Sequence, residues 1–229
     1  MKTFDAYSEG YRQEVERAIS FAGRSHDFFL RAKADRFLEE LRVHDGSTGR
    51  LPRVLEVGCG VGGMHPLLQD LHRIYGVDQS LTSLYWANRR NASSLFIGAG
   101  GEELPFTKGS FDAVLVVCVL HHVESDRRAS LVRELVRVLE PGGLLTLFEH
   151  NPYHPLTRLA VKRCRFDEGV VLLSARRAAS LLRLAGLVGV TRCHLLFTPF
   201  GGRWFRRLDR WLAPLPLGAQ YYVSGRKPS

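Results

Sequence analysis

Residues 54–63 read Val54-Leu55-Glu56-Val57-Gly58-Cys59-Gly60-Val61-Gly62-Gly63, an apolar run that breaks into glycines. The run is too short for a helix and rich in strand formers, so it predicts a buried strand over 53–59. The glycines predict a tight turn that lets a ligand approach the main chain, since a Cβ would occupy that space. Downstream the same alternation repeats. Strands are expected at 74–77, 95–97, 113–119, 144–148, 190–197 and 221–224. Between them, helical patterns cover 63–71, the segment from a Ser80 cap to about Arg90, the stripe Leu131, Leu135, Val138, Leu139 stopped by Pro141-Gly142-Gly143, and a Ser174-capped helix ending at Gly186. Upstream, residues 11–41 carry apolar side chains at helical spacing and are broken by Gly23, which predicts one or two helices. The sum is an α/β fold: a doubly wound, seven-stranded, mostly parallel sheet with helices on both faces, closed by a hairpin that makes the last strand antiparallel.

In such a sheet ligands sit at the carboxyl ends of the strands where the winding reverses, usually at the first βα turn. Gly58, Gly60 and Gly63 satisfy the dinucleotide pattern G-x-G-x-x-G, so a nicotinamide-dependent dehydrogenase is a competing expectation. Glu56 separates the two. A carboxylate two residues before the first glycine disfavours a diphosphate and favours a ligand with a cationic end. Asp78 ends the second strand in Tyr75-Gly76-Val77-Asp78-Gln79-Ser80, 20 residues after Gly58, where an acid can accept the hydroxyls of a ribose.

Five motifs in order carry a resemblance: 54–62; Gly76-Val77-Asp78-Gln79-Ser80; Glu102-Glu103-Leu104-Pro105-Phe106 running into Gly109-Ser110-Phe111-Asp112-Ala113-Val114; Leu120-His121-His122-Val123; and Leu139-Glu140-Pro141-Gly142-Gly143. Together they resemble the class I S-adenosylmethionine-dependent methyltransferases of small-molecule type. The resemblance implies S-adenosyl-L-methionine as cofactor and S-adenosyl-L-homocysteine as product. It implies that Glu56 holds the methionyl ammonium, that Gly58, Cys59 and Gly60 pass beneath the ligand, and that Asp78 grips the ribose. Gln79 would flank the adenine, Gly101 and Glu102 would meet its edge, and Cys118 would lie near the methionyl group. Tyr11 and Lys33, on the N-terminal helices, are lid candidates, with Lys33 in reach of the methionyl carboxylate. Where the family often has Asp, this chain has Gly100, so the adenine contact passes to the main chain or Glu102.

Methyl transfer is an in-line displacement at carbon activated by a sulfonium, so the protein mainly aligns the acceptor and removes a proton where there is one. Groups at the carboxyl ends of strands four and five are the candidates: His121 and His122, then Glu149, His150 and His154. A histidine titrating near neutrality can take a hydroxyl proton; the alternative is that it only pins its loop. Asp167 and Glu168 either orient the acceptor or pair with Arg163 or Arg165.

At 229 residues, 45% of them hydrophobic, the chain can bury the core of one domain. The expected division is an N-terminal helical lid at 1–50, a cofactor-binding core at 51–150 and a substrate-side part at 151–229. No apolar run long enough to span a bilayer and no leader pattern is visible, so a cytoplasmic protein is expected. The cysteines, Cys59, Cys118, Cys164 and Cys193, lack CxxC spacing, and no metal is expected. Residues 150–229 hold 14 Lys/Arg against 3 Asp/Glu. Within them, residues 200–217 form an amphipathic insertion, with Trp204, Phe205, Leu208, Trp211 and Leu212 on one arc and Arg203, Arg206, Arg207 and Arg210 opposite. Such a helix suits a lipid headgroup boundary, the cover of an active site, or plain packing. The acceptor expected is a small molecule, glycan or lipid-linked intermediate methylated on oxygen, with peripheral membrane contact as a further expectation. Nucleic acid is disfavoured, because no Asn-Pro-Pro-Tyr follows strand four. The alternative is a catalytically silent adaptor that works through its basic C-terminal third.

Overall fold

The computed structural model describes residues 10–42, 51–71, 74–198, 207 and 211–229. Strands β1 (Val54–Val57), β2 (Ile74–Asp78), β3 (Leu95–Gly98), β4 (Phe111–Val117), β5 (Leu139–His150), β6 (Val188–Leu195) and β7 (Gln220–Arg226) form one sheet in the order β3-β2-β1-β4-β5-β7-β6. The first five are parallel to their neighbours, and β7 runs antiparallel between β5 and β6. The winding therefore reverses between β1 and β4, where a crevice opens at the strands' carboxyl ends.

Period-two alternation divides the core. Leu55, Val57, Val114, Val116, Leu145 and Leu147 point to one face, under Leu131 and Leu135 of α4 (Arg128–Val138) and Ala178 and Leu182 of α6 (Ala175–Leu184). Val54, Ala113, Leu115, Leu144 and Phe148 point to the other, under Leu30, Ala34 and Phe37 of α2 (His26–Arg42). Each fully buried Leu contributes roughly 1.5–3 kcal/mol, so either face alone holds its helices firmly. Helix α2 is also tied to β7: Arg36 Nε donates to Tyr222 Oη at 2.8 Å, and Tyr222 Oη and Ser224 Oγ donate to Glu40 at 3.0 and 3.1 Å. Helix α1 (Tyr11–Ala18) precedes α2, and α3 (Leu81–Arg90) starts where Ser80 Oγ accepts from Ser83 N at 3.1 Å.

Two expectations are corrected and one helix is added. Residues 63–71 are not an α-helix but two 3-10 turns, His65–Leu67 and Gln69–Leu71. Pro66 cannot join an α-helical ladder, and burial of Met64, Leu68 and His65 sets the path instead. Leu139 does not continue α4 but opens β5 opposite Phe111. A helix where the sequence predicts no element, α5 (Pro155–Arg163), follows β5; its N-cap is His154, whose Nδ1 accepts from Thr157 N at 3.2 Å. Histidine is not among the common caps, while Pro155 at the first turn is the usual start signal.

Candidate active site

The turn after β1 needs its glycines. Gly58, Gly60 and Gly62 have φ of 74°, 51° and 72°, a region costly to residues with a Cβ. A Cβ on Gly58 would lie 2.4 Å from Val119 Cγ2, whereas one on Gly60 would meet nothing within 4 Å. The main chain at Gly60 is thus open on the side a ligand would use. Asp78 braces the turn: its carboxylate accepts from Gly60 N at 2.8 Å and Ser80 N at 2.9 Å.

On the α2 side of the sheet, Glu56 and Lys33 are both buried, at 2% and 3% exposure. Lys33 lies on the same helical stripe as Leu30, Ala34 and Phe37, so the packing that docks α2 carries an ammonium inside. Among the described residues Lys33 makes no hydrogen bond or ion pair. His65 Nε2 approaches Glu56 Oε2 to 3.1 Å without hydrogen-bond alignment, leaving both atoms orphaned. Burial pushes the Glu56 carboxyl up, partly offset by His65 and Lys33. A buried carboxylate with one unsatisfied oxygen and a lysine with no hydrogen bond or ion pair among the described residues, beside an open glycine turn, fit a zwitterionic amino-acid tail, the carboxylate facing its ammonium and the lysine its carboxylate.

Beyond Lys33 a cavity of about 280 Å³ opens at the ends of β4 and β5, covered by α1, α2 and α5. Much of its lining is apolar, with Val15, Ile19, Phe29, Leu156, Val161 and Phe197 among it. Its polar groups include Lys33, Cys118, His150, His154, Asp167 and Gln220. Cys118 follows β4 with φ of 57°, an uncommon conformation for a residue with a side chain, while its N–H donates to Phe148 O at 2.8 Å.

A histidine–carboxylate cluster borders the cavity. Glu149 Oε1 accepts from Leu120 N at 2.7 Å, and its Oε2 lies 2.6 Å from His121 Nδ1. His121 Nε2 and His122 Nε2 lie 3.4 and 3.3 Å from Asp167 Oδ1. Burial opposes charge on His121, yet Glu149 and Asp167 outweigh it and raise its pKa well above the usual imidazole value. Burial alone would raise Asp167 and Glu149, but the imidazoles hold both carboxyls below their ordinary range. His150 goes the other way: burial, then the neighbouring His121, lowers it to about 4. Gln220 Nε2 reaches His150 Nδ1 at 3.3 Å.

The structure therefore separates residues that the sequence grouped. His150 faces the cavity; His121 and Glu149 do not, and lock the turn after β4 instead. His122 touches Asp167. Of the cofactor set, Glu56, Gly58, Gly60, Asp78 and Lys33 surround the first turn, and Cys59 is buried beside it with its thiol pushed up by burial. Gln79 is exposed at the end of β2. Gly101 packs so closely that a Cβ would lie 2.8 Å from Leu131 Cδ1. Glu102 accepts from Arg127 Nε at 3.0 Å, and the open space at Gly100 leaves the neighbouring main chain accessible. Tyr11 opens α1, and its side chain lies outside the described residues. Asp167 meets neither Arg163 nor Arg165, the latter approaching Glu14 at 3.6 Å instead. Gln220 and Phe29 escaped sequence reasoning, since no motif marks them and only the fold brings them to the cavity.

Residues 55–147 match a family described as a methyltransferase domain. The chain is 28% identical over 203 residues to 24-methylenesterol C-methyltransferase 2 of Oryza sativa subsp. japonica, covering 81% of this chain and 52% of that protein. It is 30% identical to Thiol S-methyltransferase TMT1B of Homo sapiens over 54% of this chain and 53% of that one. The chain thus spans about half the length of these curated relatives. Among solved structures, a SAM-dependent methyltransferase of Thermotoga maritima, described as a possible histamine N-methyltransferase, superposes with a TM-score of 0.69 at 20% identity over 98% of both chains.

Proposed function

We propose that this chain, whose residues 55–147 match a methyltransferase domain, transfers a methyl group from S-adenosyl-L-methionine to an apolar small molecule. The observation that carries the reading is the adjacency of two features. One is the pairing of opposite charges, Lys33 and Glu56, on the α2 side of the glycine turn, Glu56 with an unsatisfied oxygen; the other is a covered cavity that Lys33 also lines.

S-adenosylmethionine supplies an electrophilic methyl on a sulfonium. Asp78 accepts from its ribose hydroxyls, Glu56 faces its ammonium and Lys33 its carboxylate, while the main chain at Gly60 lies beneath. The acceptor occupies the cavity, its apolar body among Val15, Ile19, Phe29 and Leu156 and its reacting oxygen or sulfur toward His150 and Asp167. At about 280 Å³ the cavity sits just below the usual range of small-molecule sites, and the three helices line one side of a half-open pocket. Its apolar wall favours a lipid-like or aromatic acceptor over a glycan, and oxygen is the acceptor atom proposed.

Trp211 is 78% exposed and Leu217 65% exposed, and they follow a segment rich in arginine. These support a C-terminal surface that rests on lipid headgroups, from which an apolar acceptor would be drawn, with the chain on the cytoplasmic side. Among the described residues no helix is long and apolar enough to cross a membrane. Trp204, Phe205, Leu208 and the arginines 203, 206 and 210 of the expected amphipathic helix lie outside the described residues.

The test is incubation with methyl-labelled S-adenosylmethionine and a panel of apolar alcohols, phenols and thiols. Label extracted with the organic phase in the wild type, and lost in Lys33→Met, supports the reading. Cofactor binding with label appearing only on macromolecules overturns it, and failure to bind the cofactor favours the adaptor.

A further inference from the structure

We propose that His121, His150 and Asp167 form a binding site for one divalent transition-metal ion at the wall of the acceptor cavity. One ligand atom from each lies within 4.8 Å of the others. Three atoms so related fit inside a circle of radius about 2.8 Å, so reaching the ~2.1 Å of metal–nitrogen and metal–oxygen bonds takes a shift of under about 0.7 Å per side chain.

The hydrogen-bond geometry selects the ligating atoms. Glu149 is fixed by Leu120 N and takes the Nδ1–H of His121 at 2.6 Å, so an ion that displaces the second ring proton, now shared with Asp167, meets Nε2 on the side where Asp167 Oδ1 already lies. A carboxylate behind a histidine in this way is the usual outer partner of a metal-ligating imidazole. The 3.4 Å from His121 Nε2 to Asp167 Oδ1 is long for a hydrogen bond but equals the edge, about 3.4 Å, of a tetrahedron of 2.1 Å bonds. His122 Nε2, 3.3 Å from the same oxygen, holds the Asp167 carboxylate from outside the triad. Gln220 orients His150 from behind: its amide nitrogen lies 3.3 Å from Nδ1, and the same amide turned about its last bond presents Oε1, which has no other partner, to an Nδ1–H, so that Nε2 is free to ligate. The three ligands come from separate elements, the turn after β4, the end of β5 and the turn after α5, so the site exists only in the folded chain.

Two imidazoles and one carboxylate with open positions suit zinc, iron(II), cobalt(II) or manganese(II) rather than magnesium or calcium. His150 and Asp167 line the cavity, so the open positions face it. There the acceptor's oxygen or sulfur would complete the coordination, and its proton, made more acidic by the ion, would pass to solvent at the open side of the cavity. That last role rests on the cavity being the acceptor pocket; the ion site does not.

The experiment adds cobalt(II) chloride to chelator-treated protein and follows visible absorption, with S-adenosylhomocysteine binding measured in parallel. The expected result is one equivalent of cobalt with the intense bands of a four- or five-coordinate ion. Affinity should fall roughly tenfold or more in Asp167→Asn and in His150→Gln, and either variant that keeps the wild-type circular dichroism suffices. Absence of the bands, or unchanged affinity in the folded variant, overturns the site. Nucleoside binding without cobalt binding leaves the methyltransferase reading standing, and cobalt binding without nucleoside binding leaves the ion site standing alone.

Discussion

Nδ1 of His121 lies 2.6 Å from Oε2 of Glu149, and both side chains are 1% exposed. The other oxygen of Glu149 accepts from Leu120 N, so a single carboxylate at the end of β5 fixes the turn that follows β4. Glu149 reads as a catalytic candidate from its place in the sequence, but its neighbours make it a brace between two parallel strands.

Replacing that brace by alanine leaves a buried imidazole and a buried N–H without their acceptor. Glu149→Ala should cost about 3–5 kcal/mol of stability, the scale for removing one partner of a buried ion pair. Denaturant titration measures this, and a cost below about 1 kcal/mol would show that the turn is held by other contacts.

Lys33→Met should act differently on the empty and the liganded protein. Lys33 makes no hydrogen bond or ion pair with the described residues, so the variant removes none and should melt no lower than wild type without ligand. It should bind S-adenosylhomocysteine more weakly while binding 5′-methylthioadenosine, which has no methionyl carboxylate, as wild type does. Equal losses for both nucleosides would remove Lys33 from the tail of the cofactor.

The glycines at 58 and 60 should respond differently to alanine. At Gly60 the added methyl meets open space, so stability should fall by only about 1–2 kcal/mol for the left-handed backbone while nucleoside binding is lost. At Gly58 the methyl meets Val119 Cγ2 at 2.4 Å. Gly58→Ala should therefore be the less stable of the two, and Val119→Ala should recover part of the deficit. Equal melting temperatures for the two glycine variants would refute this ordering.

Asp78→Ala removes the acceptor of Gly60 N and Ser80 N as well as the proposed ribose contact. Cofactor affinity should drop by about 1–3 kcal/mol, the range for charge-assisted hydrogen bonds, and calorimetric affinity equal to wild type would exclude Asp78 from the site.

Trp211→Ala should reduce sedimentation with anionic liposomes. Binding equal to wild type would leave the exposed tryptophan without a lipid role.

The sheet was legible because its parallel strands are short apolar runs set off by punctuation, as at 54–63, and because Ser80 and Ser174 carry ordinary cap signals. The glycine turn and Asp78 were legible for the same reason, since backbone conformation constrains residue type there. Helix α5 was not, because His154 is a rare cap, and the turns at 63–71 were not, because their path follows burial rather than local preference. The roles within the histidine cluster also stayed out of reach. Which of His121, His122 and His150 meets the cavity depends on side-chain direction at three strand and turn ends, and Asp167 joins them from 17 residues beyond β5.

The most direct test of the account is calorimetric titration of the wild-type chain with S-adenosylmethionine and, separately, with NADH. The account predicts one S-adenosylmethionine bound per chain and no detectable heat with NADH, because Glu56 repels a diphosphate. Binding of NADH in preference to S-adenosylmethionine would contradict it.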